Sequence, residues 1–111
     1  MDAELVAELF HPFVQARSLE GHFADALLSL AGRPLVTDVR NFGLMGGVDL
    51  AARPGAPGAR GLEVHKRCFW EQDLVVRNGM DTLQFSPFLN ARPGDITMTV
   101  EKIRKVLDSL D

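Results

Sequence analysis

Apolar residues recur at three- and four-residue steps in three stretches of this 111-residue chain, with short apolar or alternating runs between them. Leu19, Phe23, Ala26, Leu27 and Leu30 share one helical face, so their spacing predicts a helix to roughly Ala31. Gly32 and Pro34 then end it. Pro12 interrupts the residues before it: Met1 to His11 read as a separate turn of helix or a frayed end, and Pro12 suits the first position of the main helix. Val36 to Arg40 and Leu44 to Leu50 read as two short strands joined through Asn41, Phe42 and Gly43, an antiparallel hairpin. Ala51 to Gly61 holds three glycines and two prolines in eleven residues and reads as an irregular loop.

Gly61 to Gln72 follows with helical periodicity, which predicts burial of Leu62, His65 or Val64, Cys68 and Phe69. Leu74 to Arg77 and Thr82 to Ser86 predict two more strands, with Asn78 and Gly79 as the turn. In the last segment Ile96, Val100, Ile103, Leu107 and Leu110 keep one face apolar, while Glu101, Lys102, Arg104 and Lys105 occupy the other. Pro93 suits the first turn of that helix and Asp95 the positive end of its dipole. The order is αββαββα, an α+β fold with helices covering a small antiparallel sheet.

A chain of this size supports one core, so residues 1–111 read as one domain. The net charge of -3 supplies no positive field for a phosphate backbone, which argues against nucleic acid as a partner. No apolar run is long enough for a bilayer, and the acidic N-terminus does not suit a secretory signal. The single cysteine, Cys68, cannot form an internal disulfide and fits a reducing, cytoplasmic setting.

Arg77 is the strongest candidate for chemistry. It closes the apolar run Leu74 to Val76 just before a turn, so its guanidinium projects at the rim of the sheet, where a carboxylate can be held by two hydrogen bonds. The residues alone leave a second reading open, a surface arginine paired with Asp81 or Asp38. His11, His22 and His65 lack the convergent spacing of a metal site and read as ordinary histidines. Cys68 reads as a buried structural thiol. The three lysines, Lys66, Lys102 and Lys105, fall on charged helix faces, where nothing lowers a lysine pKa toward Schiff-base chemistry. Gly43 to Gly47 lacks a phosphate-loop pattern and reads as close packing of a strand on a helix. Asp38 and Arg40 alternate onto one strand face and suit an exposed pair.

Three segments, Val36 to Leu50 (VTDVRNFGLMGGVDL), the loop ARPGAPGARG and Leu74 to Pro87 (LVVRNGMDTLQFSP), together resemble one known domain. It is the C-terminal small domain of the class III pyridoxal-phosphate aminotransferases, in the branch that moves amino groups from omega-amino acids such as β-alanine to pyruvate. The resemblance runs from Leu19 to Leu110. It implies that Arg77 binds the substrate carboxylate, that Arg40 and Gly43 lie at a domain boundary, and that the cofactor lysine belongs to a large upstream domain absent here. The chain alone is then expected to hold no pyridoxal phosphate and to be inactive, with that large domain or a second copy of itself as partner and an amino-acid or keto-acid substrate only in a complete enzyme. The family's glycine before the aspartate-threonine pair is replaced by Met80, which strains or reshapes the turn unless Gly79 takes over the positive φ after a one-residue shift, and Phe88 stands where a second proline is usual. A function of a different class fits the same pattern: a stand-alone α+β module for ligand binding or dimerisation.

Overall fold

The computed structural model describes residues 3–87 and 91–110, with the side chains of residues 6–13 and 15–16 outside that description. The element order is α1 (Ala3–Leu28), β1 (Val36–Phe42), β2 (Met45–Leu50), α2 (Ala59–Gln72), β3 (Arg77–Gly79), β4 (Thr82–Phe85) and α3 (Pro93–Asp108). This is the αββαββα order that the sequence pattern predicts. The four strands form one antiparallel sheet in the order β1-β2-β4-β3. Buried side chains from all three helices and from the sheet form one cluster, built on Leu19, Phe23, Leu27 and Leu30 of the first helical segment, Val48, Leu83 and the Ile96, Val100, Ile103, Leu107 stripe of α3. Leu110 is only half-buried at the edge of that stripe.

Direct cross-strand partners share a sheet face, so the register sorts the side chains. The row Val39, Val48, Leu83 points inward toward the helices. The row Arg40, Gly47, Gln84, Arg77 points the other way, onto a face that no helix covers. Gly46 and Gly47 explain the small residues of β2. A Cβ on Gly46 would meet Leu27 Cδ2 at 2.4 Å and the Phe23 ring at 3.1 Å, so α1 approaches the strand closer than any side chain allows. The Gly47 side is occupied by the Arg40 guanidinium, 3.4 Å from where a Cβ would stand.

Several boundaries differ from the sequence expectation. α1 is one helix that continues through Pro12 without a break, so the proline neither starts nor ends it. At its other end α1 stops at Leu28, where the bonds from Leu30 and Ala31 to Leu27 and Leu28 tighten the chain into a turn before Gly32 at φ 87°. The first hairpin turns on Gly43 and Leu44, with Phe42 paired to Met45, so Asn41 and Phe42 belong to β1. α2 buries Arg60, Gly61, Val64 and Cys68, a single narrow stripe, while Leu62 and Phe69 are 43% and 48% exposed. They stand about 100° around the helix from Gly61 and Cys68, away from the sheet and α3.

The second hairpin is displaced further. Pairing begins only at Arg77, so Leu74 to Val76 lead into the strand, and Asn78 and Gly79 lie within β3. The turn is Met80 and Asp81, and Met80 itself takes φ 54°. Gly79 does not take over that conformation. β4 supplies ladder partners only at Thr82 to Gln84, and that register forces the turn to fall between Gly79 and Thr82. Phe88 lies outside the described residues.

Candidate functional site

Arg77 is the first residue of β3, an edge strand, and faces Gln84 of β4 on the open side of the sheet. It is exposed, and among the described residues no carboxylate forms an ion pair with it. Both carboxylates that could neutralise it locally are committed elsewhere. Asp38 accepts a hydrogen bond from Arg40 at 3.1 Å. Asp81 turns toward the start of α2, where Oδ2 accepts from Gly58 N and Oδ1 from Gly61 N, each at 2.9 Å. Burial alone would raise the Asp81 carboxyl, but bonds from the Gly58, Gly61 and Arg60 backbone N–H groups, with the charge of Arg60, outweigh it and hold the group below its ordinary range.

The other end of the same row behaves in the opposite way. Arg40 donates to Asp49 at 2.7 Å as well as to Asp38, and Thr82 donates to Asp49 at 2.7 Å from β4. The hydrogen bonds to Asp49 and Asp38 raise the Arg40 guanidinium, and those from Arg40 and Thr82 lower Asp49. Arg40 is therefore a neutralised cross-strand anchor, whereas Arg77 is exposed and has no such carboxylate partner among the described residues.

The loop after β2 and the β3–β4 turn form one locked corner with the first turn of α2, which begins at Ala59, inside the stretch the composition reads as loop. Arg60 is buried, and its guanidinium donates to the Ala51 carbonyl. Leu50 N donates to the Asp81 carbonyl at 2.8 Å. A Cβ on Gly61 would lie 2.0 Å from the Met80 carbonyl oxygen, so only glycine lets the turn sit on the first turn of α2. The roles of Asp81, Arg60 and Gly61 do not show in sequence spacing: Asp81 lies four residues from Arg77, and its real partners lie 20 and 23 residues away.

The remaining candidates are structural in their contacts. His22 Nε2 is 3.0 Å from both the Pro93 carbonyl and Thr97 Oγ1, which ties α1 to the start of α3. His65 Nδ1 donates to the Val76 carbonyl at 2.6 Å, which ties α2 to the segment leading into β3. The His11 side chain lies outside the described residues. Cys68 is buried, and desolvation, with the nearby charge of Glu71, pushes its thiol up to about 11. No group of three or more potential metal ligands occurs among the described residues. An apolar groove of about 450 Å³ opens beside β4 and α3, lined by Phe23, Val76, Phe85, Pro87, Ile96 and Val100. Arg77 does not line it. Among the described residues no helix is long and apolar enough to cross a membrane.

Pyridoxal phosphate needs an amine that can be desolvated for its Schiff base and converging donors for its phosphate. Lys66 and Lys105 are exposed on the outer surfaces of α2 and α3, Lys102 is half-exposed, and none lines the groove. The described residues of this chain do not by themselves build that site.

No protein-family model matches the chain. Among curated proteins, the omega-aminotransferase of Caulobacter vibrioides is 44% identical over 99 residues, 89% of this chain and 22% of that protein. The beta-alanine–pyruvate aminotransferase of Pseudomonas aeruginosa is 38% identical over 96 residues, 86% of this chain and 21% of that protein. The chain thus spans about a fifth of the length of these curated relatives. A solved transaminase with L-Ala superposes with a TM-score of 0.83 at 26% identity, covering 94% of this chain and 25% of that one. A thermostable 6-fold mutant of an omega transaminase from Pseudomonas jessenii, at 24% identity, shares the fold with a TM-score of 0.83 over 93% of this chain and 24% of its own. By sequence and by fold, the chain matches the C-terminal domain of the class III omega-aminotransferases.

Proposed function

We propose that these 111 residues work as one domain of an omega-amino acid:pyruvate aminotransferase, in which Arg77 binds the substrate carboxylate and the domain closes over the substrate. The observation that carries this reading is the state of Arg77: exposed on the uncovered sheet face, with Asp38 and Asp81 both bound elsewhere. A planar guanidinium held at a strand start, without a local counter-ion, is suited to two parallel hydrogen bonds with an incoming carboxylate. Pyridoxal phosphate, when bound to the complete enzyme, acts as the electron sink for amino transfer. The chain's own residues orient the substrate; they supply no Schiff-base lysine, and the chain alone is inactive. The partner is the large cofactor-binding domain, in a cytoplasmic setting, with neither nucleic acid nor membrane involved.

The test is a chimera in which this chain replaces the matching domain of the Caulobacter enzyme, assayed with β-alanine and with a simple amine as alternative donors. Arg77→Ala should cost the carboxylate substrate roughly 2 to 4 kcal/mol, because a bound anion loses two charge-assisted bonds. That is about a 30- to 1000-fold fall in kcat/KM for β-alanine. The amine should change only a few-fold. Equal losses for both donors, or a chimera that folds and carries cofactor yet cannot transaminate, would count against the assignment.

A further inference from the structure

Arg77 stands on a strand of three residues at the edge of the sheet, and such a strand has little of its own to fix its register. Side chains alternate between faces, so a slip of one residue would carry Arg77 from the open face to the side where the helices pack. What holds the register is the two-residue turn Met80–Asp81, and what holds the turn is a contact remote in sequence. Gly58, the N-cap of α2, has no side chain to cap the helix. The Asp81 carboxylate does so instead, with one oxygen on Gly58 N and the other on Gly61 N. Gly61 admits the turn to within contact of the helix backbone, and the Leu50 N–H to Asp81 carbonyl bond fixes its other side.

We propose that Asp81 is a positioning residue for Arg77: by capping α2 from the β3–β4 turn, it sets the register of β3 and so the face on which the Arg77 guanidinium stands. This deepens the reading of Arg77 above and rests on it. Asp81 touches no substrate; it acts through two backbone N–H groups and the hairpin. Met80 shows that the turn is imposed, since a non-glycine residue holds φ 54° at the position next to Asp81 while Gly79 beside it does not.

Asp81→Asn tests this with little change of shape, since the new NH2 group must oppose one of the two backbone N–H groups, donor against donor. In the chimera, the measured quantity is kcat/KM for β-alanine divided by kcat/KM for a simple amine. A lower folded fraction scales both donors equally and leaves that ratio untouched. The ratio should fall about 10- to 100-fold, the usual result of displacing a binding group by about an ångström. In an Arg77→Ala background, Asp81→Asn should move it no further. A ratio that falls with Arg77→Ala but not with Asp81→Asn overturns the positioning role and leaves the Arg77 assignment standing. A ratio unmoved by Arg77→Ala overturns the assignment itself. In the chain alone, the α-proton contact between the facing residues Asn78 and Leu83 reads the register by NMR without catalysis. Its loss or displacement in Asp81→Asn supports the proposal; its persistence, with unchanged amide-exchange protection at Gly79, overturns it.

Discussion

Gly61 and Gly21 both lie inside helices, and helix propensity alone makes the same forecast for each: replacement by alanine should stabilise by about 1 kcal/mol. The structure separates them. Around Gly21 nothing lies within 4 Å of an added Cβ, and Gly21→Ala should show the propensity gain unopposed. At Gly61 the added Cβ would sit 2.0 Å from the Met80 carbonyl oxygen, 3.0 Å from Met80 C and 3.0 Å from Asp81 Cα, all backbone atoms that no rotamer change can move aside. The turn must withdraw by more than an ångström to reach ordinary contact, which takes Asp81 beyond hydrogen-bond range of both Gly61 N and Gly58 N. Two hydrogen bonds to a charged acceptor are worth about 3 to 6 kcal/mol together, against about 1 kcal/mol gained in propensity. Gly61→Ala should therefore destabilise the chain by about 2 to 5 kcal/mol, or roughly 10 to 25 °C in Tm for a domain of this size. Thermal melts followed by circular dichroism, with urea unfolding for the free energies, measure both variants. A Gly61→Ala chain as stable as the parent would refute the packing of the turn on α2.

At Met80 the sign reverses: Met80→Gly removes a left-handed methionine at φ 54° and should leave stability equal or slightly higher, whereas Gly79→Ala, facing only the mobile end of Gln84, should cost under about 1 kcal/mol. Urea titration that finds a large loss for Gly79→Ala and none for Met80→Gly would place the positive φ at Gly79 instead. Acid should destabilise the chain through Asp49, Asp81 and Glu71, whose folded values lie below the ordinary 3.8 or 4.5. A depressed folded pKa gives stability that is present above the unfolded value and lost as pH falls through the folded one, so the loss should gather below about pH 4. Unfolding free energies from about pH 6 to about pH 3 should show that slope, and Asp81→Asn should flatten it; an identical slope in the variant would remove Asp81 as a source. The chain should also self-associate at micromolar concentration, because Phe42 and Met45 face each other at the hairpin end while 86% and 65% exposed. Light scattering that finds only monomer, with no binding of an apolar dye, would contradict this.

The periodic parts of the fold were legible because each carries its own signal. Ile96, Val100, Ile103 and Leu107 are buried on α3 as their spacing requires, and the order of helices and strands follows from where such periods start and stop. What the residues did not reveal is set by non-local pairing. Leu74 to Val76 form an apolar run, yet Val75 is 72% exposed and the ladder begins at Arg77, because only β4 decides where β3 can bond. Leu62 and Phe69 match a helical period but lie outside the stripe that the sheet and α3 cover. At the candidate site, Arg77 is visible from its place after an apolar run, while the residues alone offer Asp81 only as one of two possible ion partners for it. The glycines that bind Asp81 instead stand at the N-cap and in the first turn of α2, in a segment whose composition signals irregularity and nothing about partners.

Arg40 and Arg77 show why chemistry on this sheet face cannot be assigned by residue type. They occupy the two ends of one cross-strand row, separated by Gly47 and Gln84, and both point away from the helices. On β1 the alternation that brings Asp38 beside Arg40, and the register that brings Asp49 across from Asp38, surround one arginine with carboxylates. Such exposed pairs contribute little to stability, but they occupy the guanidinium and leave little attraction for a ligand anion. On β3 the residue two places beyond Arg77 is Gly79, and the nearest acid in the turn is drawn to α2 by backbone donors. The same side chain on the same face is thus bound internally at one end of the row and open at the other. The difference is made by a hydrogen-bonded helix start more than fifteen residues away in sequence, which holds Asp81 and leaves Arg77 without a carboxylate partner among the described residues.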